Sequence, residues 1–155
     1  MVGRVERVDV MTNDFWKFYM ETHVRVTDDH NRTHLLMAAD VPSGEWNFPA
    51  EEFFVMTAAN PWSSDQFTPQ MNAALNAGLR QGLERAGAFL FDAVGHDPAS
   101  TWIEPGFAVM GLEEASVLEF ARQYGQNAVY RMSPGAFTCV GALLENRETR
   151  ALQIS

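Results

Sequence analysis

The apolar run at residues 53–59 limits most strongly what this chain can fold into. A run of this length without regular polar alternation is typical of a strand that is buried on both faces. It stops at Asn60-Pro61, a residue pair that interrupts regular structure. The sequence therefore predicts a fully buried strand that ends at a polar loop.

Two amphipathic helices are predicted after this strand. The first covers residues 68–86, where an N-cap threonine and a proline at the first helical position precede apolar residues at four-residue spacing. The second covers residues 112–124 and carries acidic residues in its first turn, as the helix dipole favours. An aromatic segment at residues 13–21 predicts a shorter helix near the N-terminus.

The remaining strands complete a recognisable order of elements. They are predicted at residues 23–27, 33–39, 89–94, 106–110, 127–132 and 137–144. From residue 53 to residue 132, the order βαββαβ is the pattern of ferredoxin-like α+β folds, with two helices on one face of an antiparallel sheet. We expect the N-terminal hairpin and the last strand to extend this sheet within a single domain of residues 1–155. The polar residues 145–155 are expected to fray.

The charge balance argues against two classes of partner. The chain has 20 acidic and 11 basic residues and a net charge of −9. Binding to nucleic acid or to an anionic membrane normally requires a basic surface, and no basic stripe is visible in the sequence. No apolar segment approaches the roughly 20 residues that span a bilayer, and the N-terminus lacks a signal-peptide pattern. We therefore expect a cytoplasmic protein.

The cysteine and histidine residues do not predict a metal site. A single cysteine, Cys139, excludes an internal disulfide and a zinc site built from several thiolates. It lies in an apolar run, so we interpret it as a buried core thiol, and a nucleophilic role is the less favoured alternative. The histidines lack ligand spacing, apart from His30 and His34 across a predicted turn. No cofactor is identified.

Polar residues gather between the buried strand at 53–59 and the helix at 68–86. Asn60 and Ser64 follow the buried strand, a position where α/β proteins commonly hold ligands, although turn and cap roles are equally compatible. Asn72 and Asn76 lie one turn apart on the first helix, whose interior disfavours Asn. They suggest amides held at a half-buried boundary, and an exposed polar face is the alternative.

A second polar group lies later in the chain. An acid close to a Trp ring can have a raised pKa and act as a general acid or base, which makes Glu104 beside Trp102 a candidate catalytic residue. The alternative is a connecting loop in which Trp102 covers the core, and we assign His96 to this loop. Gln126 and Asn127 follow the second helix, where they either satisfy its last carbonyls or bind a ligand through donors and acceptors.

The spaced motifs together resemble a known family. They are Thr57-Ala58-Ala59-Asn60-Pro61, Asn72, Asn76, Gly95, Trp102-Ile103-Glu104, Gly111 and Gly125-Gln126-Asn127-Ala128, preceded by Tyr19-Met20-Glu21-Thr22. In this combination the chain is similar, over about residues 19–140, to the bacterial family of unknown function DUF3293. The resemblance implies a small bacterial cytosolic protein and marks the Asn, Glu and Gln positions above, but it implies no activity. Ala59 departs from the aromatic residue expected there.

Three hypotheses of function follow from these residues. The first is a small-molecule binding domain for a nucleotide-like or amide-bearing ligand, with Asn60, Ser64, Asn72, Asn76, Trp102, Gln126 and Asn127 as its ligand-binding residues. The second is an interaction module that docks a protein partner or a second copy through the aromatic segment 15–19. The third is a hydrolase that uses Glu104 as general base. The first and third require the polar residues to converge in space, and the sequence leaves enzyme activity undecided.

Overall fold

The fold is given by a computed structural model, which describes residues 16–155. The strands in this range are β1 (His23–Thr27), β2 (Thr33–Ala39), β3 (Phe53–Met56), β4 (Phe89–His96), β5 (Ile103–Met110), β6 (Ala128–Ser133), β7 (Ala136–Gly141) and β8 (Arg147–Ile154). The helices are α1, described over residues 16–21, α2 (Pro69–Arg85) and α3 (Glu114–Gln123), with a 3-10 turn at Pro61–Ser63. None of the described helices is both long and apolar enough to cross a membrane.

The eight strands form a closed antiparallel barrel in the order β1-β2-β8-β7-β6-β3-β5-β4. The hairpin β1–β2 and the three-stranded meander β6–β7–β8 flank the strands that are connected through helices. The barrel closes because the whole of β1 pairs with the last five residues of β4, from His23 opposite His96 to Thr27 opposite Asp92. On the other side, β2 pairs with β8 from Leu36 opposite Ile154 to Ala39 opposite Ala151.

The ferredoxin-like prediction is therefore wrong. An open sheet extended by the N-terminal hairpin and the last strand would still have two edge strands, whereas here β2 pairs with β8 and the sheet closes on itself. The expected frayed tail is also wrong, since residues 147–154 form β8 between β7 and β2. Closure satisfies backbone groups that an open edge would leave unpaired, and this gain favours the barrel.

Two strands extend further towards the site than predicted, β4 at its end and β5 at its start. Strand β4 continues to His96 and β5 starts at Ile103, so that Glu104 and His96 belong to strands rather than to a loop. Helix α1 is described from residue 16, and the first part of the predicted helix, including Phe15, lies outside the described residues.

Apolar residues fill the inside of the barrel and a second layer outside it. Every strand contributes to the inner cluster, which includes Val24, Val26, Leu36, Phe53, Val55, Phe91, Ala93, Ala108, Met110, Met132, Phe137 and Leu152. A second cluster joins α2 and α3 to the outer surface through Leu79, Leu83, Val117 and Ala121. Strand β3 contributes to both clusters, and its four residues are all buried. This confirms the prediction of a strand buried on both faces.

One glycine allows β3 and β5 to approach each other where both lead into the site. A Cβ atom on Gly106 would lie 2.2 Å from the carbonyl oxygen of Met56, which no side chain could tolerate without a backbone shift. Gly95, on β4, meets no such obstacle, because a Cβ there would lie 3.5 Å from the Thr22 methyl group.

We therefore expect Gly106→Ala to lower the free energy of unfolding by about 1–3 kcal/mol, since the new methyl group must push two paired strands apart. Gly95→Ala is the matched control in a strand of the same sheet, and it should change stability by less than about 0.5 kcal/mol. Chemical denaturation of both variants measures the difference. Equal stabilities would contradict the close approach of β3 and β5.

Candidate functional site

A cavity of about 390 Å³ lies at one mouth of the barrel. It is lined by Phe18, Tyr19, Thr22, Asn60, Ser63, Gly95, Ser100, Trp102, Glu104, Gln126, Ala128 and Tyr130. Strands β4, β5 and β6 contribute residues close to their ends, and α1 contributes Phe18 and Tyr19. The cavity is therefore placed above the filled interior and partly covered by the N-terminal helix. Its volume is within the range of small-molecule sites.

The loop after β3 forms one wall of the cavity and has an unusual backbone. Asn60, Trp62 and Ser63 all have positive φ angles, of 48°, 58° and 56°. Non-glycine residues seldom adopt this left-handed conformation, and each instance costs of the order of 1 kcal/mol. Three of them within four residues require support from neighbouring elements.

Part of that support comes from the turn after α3. The Trp62 backbone N–H donates to the Gly125 carbonyl at 2.7 Å. Gly125 itself has a φ of 66°, and a Cβ there would lie 3.0 Å from the Trp62 ring. A side chain at position 125 would be strained and would also crowd the loop. The Gly125 motif of the sequence therefore has a structural explanation.

The two asparagines of α2 hold the same loop through its backbone. Asn76 Oδ1 accepts from the Ala58 N–H at 2.8 Å, and its Nδ2 donates to the Pro105 carbonyl at 2.9 Å. Asn72 Oδ1 accepts from the Asn60 N–H at 2.8 Å. The Ala58 and Asn60 N–H groups lie beyond the strand ladder and would otherwise lack partners, whereas the Pro105 carbonyl also accepts from Thr57 Oγ1 at 2.6 Å. Asn72 and Asn76 thus join α2 to the ends of β3 and β5.

This arrangement fixes the direction in which the Asn60 amide donates. Asn72 Nδ2 donates to Asn60 Oδ1 at 2.9 Å, which leaves the Asn60 Nδ2 group to donate to Glu104 Oε2 at 3.1 Å. The Asn60 amide has only one orientation that satisfies both neighbours. A chain of hydrogen bonds therefore runs from α2 through Asn60 to the carboxyl group in the cavity.

Glu104 is the only Asp or Glu among the described residues that line the cavity. Burial raises the pKa of its carboxyl to about 7 from an ordinary value of 4.5, and the hydrogen bond from Asn60 partly opposes this rise. None of the Lys, Arg or His residues in the described part of the chain forms an ion pair with it. The carboxyl can therefore gain or lose a proton near neutral pH.

A second polar group lies where α1 meets the loop. Asn127 Nδ2 donates to Ser63 Oγ at 3.0 Å and to Tyr19 Oη at 3.1 Å, and these two hydroxyl groups are 3.0 Å apart. The Tyr130 hydroxyl donates to the Tyr19 carbonyl at 2.8 Å. Burial raises the pKa of Tyr19, which keeps its phenol protonated at neutral pH. These bonds hold α1 against the cavity.

Gln126 contributes a buried amide to the cavity wall. Its Nε2 group donates to the carbonyls of Ala59 and Tyr124, at 2.9 and 3.2 Å. Its Oε1 atom accepts no hydrogen bond from any residue between 16 and 155. The side chain therefore braces the loop with its donors and keeps an acceptor available. Aromatic rings form the apolar walls, where Phe18 and Trp102 make an edge-to-face contact at 6.2 Å between centroids.

The structure brings together half of the residues predicted from the sequence. Asn60, Trp102, Glu104 and Gln126 line the cavity. Asn72, Asn76 and Asn127 lie behind it and support the lining residues, and Ser64 only caps a turn by accepting from the Gln66 N–H. The interpretation of Asn72 and Asn76 as an exposed polar face is wrong, since both amides are bonded to the loop and the strand ends.

Several lining residues were not predicted. Phe18, Tyr19, Thr22, Ser63, Ser100 and Tyr130 were not assigned to a small-molecule site, although all have aromatic or hydroxyl side chains. Ser63 and Tyr19 are 44 residues apart in the chain, and only the folded barrel brings them to 3.0 Å. The motif Tyr19-Met20-Glu21-Thr22 carried a signal, because two of its members line the cavity.

Other titratable groups lie outside the cavity lining. Cys139 is fully buried, which confirms the core-thiol interpretation, and burial raises the pKa of its thiol. His96 Nε2 is buried without a hydrogen-bond partner in residues 16–155, and desolvation lowers the pKa of its imidazole. The described residues contain no group of three or more His, Cys, Asp or Glu side chains that could hold a metal ion.

A family model described as "Protein of unknown function (DUF3293)" matches residues 56–129. The chain belongs to the DUF3293 family. The matched region runs from the last residue of β3 into β6, so it contains the strained loop, Glu104, and the amide residues around them. No curated protein and no solved structure matches the chain.

The pKa of Glu104 predicts a pH dependence for the stability of this DUF3293 protein. Between pH 4.5 and about 7 the unfolded chain loses the Glu104 proton while the folded state retains it. The folded state therefore loses stability as pH rises through this window, by up to about 3 kcal/mol. Glu104→Gln removes the titrating group, so its stability relative to wild type should increase over the same range.

Urea denaturation of both proteins between pH 4.5 and 8 measures this difference. Glu51→Gln, the same substitution at an exposed position, is the control and should show no such trend. A stability difference between wild type and Glu104→Gln that stays constant with pH would show that the Glu104 carboxyl is not buried as described.

Proposed function

We propose that this protein binds a small molecule in the cavity at the mouth of the barrel. One observation carries the proposal: a hydrogen-bond chain from Asn72 through Asn60 holds a single carboxyl group in a cavity that four aromatic residues help to line. Burying that group costs stability, and no ion pair within residues 16–155 compensates for it. Such a cost is typical of a site that is shaped for a ligand rather than for folding.

The chemistry of the lining limits the ligand. Glu104 and the Gln126 Oε1 atom are acceptors, so the ligand should present N–H or O–H donors to them. The rings of Trp102, Phe18 and Tyr130 favour a flat apolar part beside these donors. A phosphate group would be repelled by the Glu104 carboxylate, and the described lining has no Lys, Arg or His to bind it. The sequence predicted a nucleotide-like or amide-bearing ligand. The lining is better suited to a nucleobase-like or amide group of such a ligand than to a phosphate.

Acid–base catalysis is a second candidate function, because the pKa of Glu104 lies near 7. In a hydrolysis, the Glu104 carboxylate would take a proton from a water molecule as its oxygen attacks the ligand, and would pass that proton to the leaving group. If a ligand found in this cavity is turned over, Glu104→Gln should abolish turnover even at ligand concentrations that saturate the variant. Unchanged turnover in Glu104→Gln would reject this candidate.

The interaction-module hypothesis receives less support. Trp16 is 9% exposed and donates to Glu148 Oε1 at 3.1 Å, and Phe18 and Tyr19 cover the cavity. The described part of the aromatic segment therefore packs on the barrel instead of presenting a free apolar surface. Phe15, the first residue of that segment, lies outside the described residues.

A thermal-shift screen against nucleosides, amino acids, amides and amines should identify a stabilising compound. At a concentration of 100 times Kd, a ligand adds about 2.7 kcal/mol to the free energy of unfolding, which raises Tm by several degrees. We expect Asn60→Ala and Gln126→Ala to weaken binding, because one orients Glu104 and the other supplies an acceptor. Gln81→Ala, at an exposed amide on α2, is the matched control. A ligand that binds equally well to all three variants does not occupy this cavity, and the proposal would then be wrong.

A further inference from the structure

The ligand class can be narrowed from the state of the Glu104 carboxyl group, on the assumption that the cavity is a binding site as proposed above. Asn60 Nδ2 donates to Oε2, and Oε1 accepts no hydrogen bond from residues 16–155. A buried carboxylate normally has a cation or several donors as partners. The described structure supplies one donor and leaves the second oxygen available to the cavity.

Burial raises the pKa of this carboxyl, but the one side chain that hydrogen-bonds to it, Asn60, favours its ionised form. Because Asn72 fixes the Asn60 amide, the group that faces Oε2 is always an N–H donor and never an acceptor. A donor in this position stabilises a carboxylate. Asn60 is the only hydrogen-bond partner that lowers the pKa of Glu104, and no cationic side chain contributes. A positive charge near Glu104 would stabilise its carboxylate further, and the described residues of the site do not supply one.

The aromatic walls are also suited to a positive charge. Trp102, Phe18 and Tyr130 line the cavity together with Glu104, and cations are attracted to the faces of such rings. The net charge of −9 attracts cations towards the protein as a whole. A neutral ligand could use the acceptors, but it would leave the Glu104 carboxyl without a counter-charge when the carboxyl ionises.

We infer that the cavity binds an organic nitrogen cation, an amine, amidine or guanidine whose N–H groups donate to Glu104 Oε1 and whose apolar part packs against Trp102. An amide or a nucleobase of the same shape would lack the charge, and a carboxylic acid would be repelled. The cation would supply the counter-charge that the described residues around Glu104 do not.

Three compounds of nearly equal shape separate these classes: benzamidine is a cation, benzamide is neutral and benzoate is an anion. Isothermal titration calorimetry at pH 8 should show benzamidine binding at least about tenfold more tightly than benzamide, and no binding of benzoate. Benzamidine stays charged between pH 5.5 and 8.5, whereas Glu104 ionises as pH rises through about 7. Its affinity should therefore increase with pH in this range.

Variants assign the effect to the cavity carboxylate. Glu104→Gln should reduce benzamidine affinity at least about tenfold and should leave benzamide affinity within about threefold, because only the charge is removed. Glu51→Gln makes the same change in net charge at an exposed position and should leave both affinities unchanged. Circular dichroism establishes that each variant is folded.

The outcomes separate this inference from the proposed function. If benzamide binds as tightly as benzamidine and both are weakened in Asn60→Ala, the cavity is a binding site but its ligand class is not cationic. If benzamidine does not bind at concentrations up to about 10 mM, the inference is overturned. If, in addition, no compound of the thermal-shift screen responds to Asn60→Ala or Gln126→Ala, the proposed function fails as well.

Discussion

The backbone that leaves β3 needs hydrogen-bond partners, and two asparagine side chains of α2 supply them. Asn76 bonds to the Ala58 N–H and to the Pro105 carbonyl, and Asn72 bonds to the Asn60 N–H. These bonds place α2 against the barrel mouth and hold the loop in its left-handed conformation. Because the Asn72 amide also bonds to the Asn60 side chain, the same constraint sets the donor that faces Glu104. The geometry of the cavity depends on this pair of residues.

The local elements of the fold could be predicted from the sequence, whereas the closure of the sheet could not. The run at 53–59, the N-cap Thr68 and the glycine at 87 carry local signals. The structure has α2 where these signals place it, and β3 begins with the run but ends at Met56, three residues earlier than predicted. Closure depends on β1–β4 and β2–β8 pairing, between strands that are more than 50 residues apart. No pattern within either strand identifies a partner so distant, and the polar sequence of β8 concealed a strand.

The sequence likewise predicted only part of the candidate site. Asparagines inside a helix and an acid next to a tryptophan conflict with local preferences, and such conflicts pointed to Asn72, Asn76 and Glu104. The sequence could not assign their roles, since Asn72 and Asn76 support the loop while Asn60 and Glu104 line the cavity. Tyr19 and Ser63 escaped prediction because hydroxyl and aromatic residues are compatible with many surroundings, and only tertiary contacts bring these two together.

The proposed site depends on a carboxyl group that is held in the cavity without a cationic partner among residues 16–155. The most direct test is a pH titration of Glu104 in the protein without ligand, with the side-chain carboxyl carbon followed by ¹³C NMR and assigned with Glu104→Gln. We expect a midpoint at about pH 7, because burial raises the pKa of this carboxyl. A midpoint near the ordinary value of 4.5 would mean that the carboxyl is solvated or paired with a cation, and it would contradict the cavity described above.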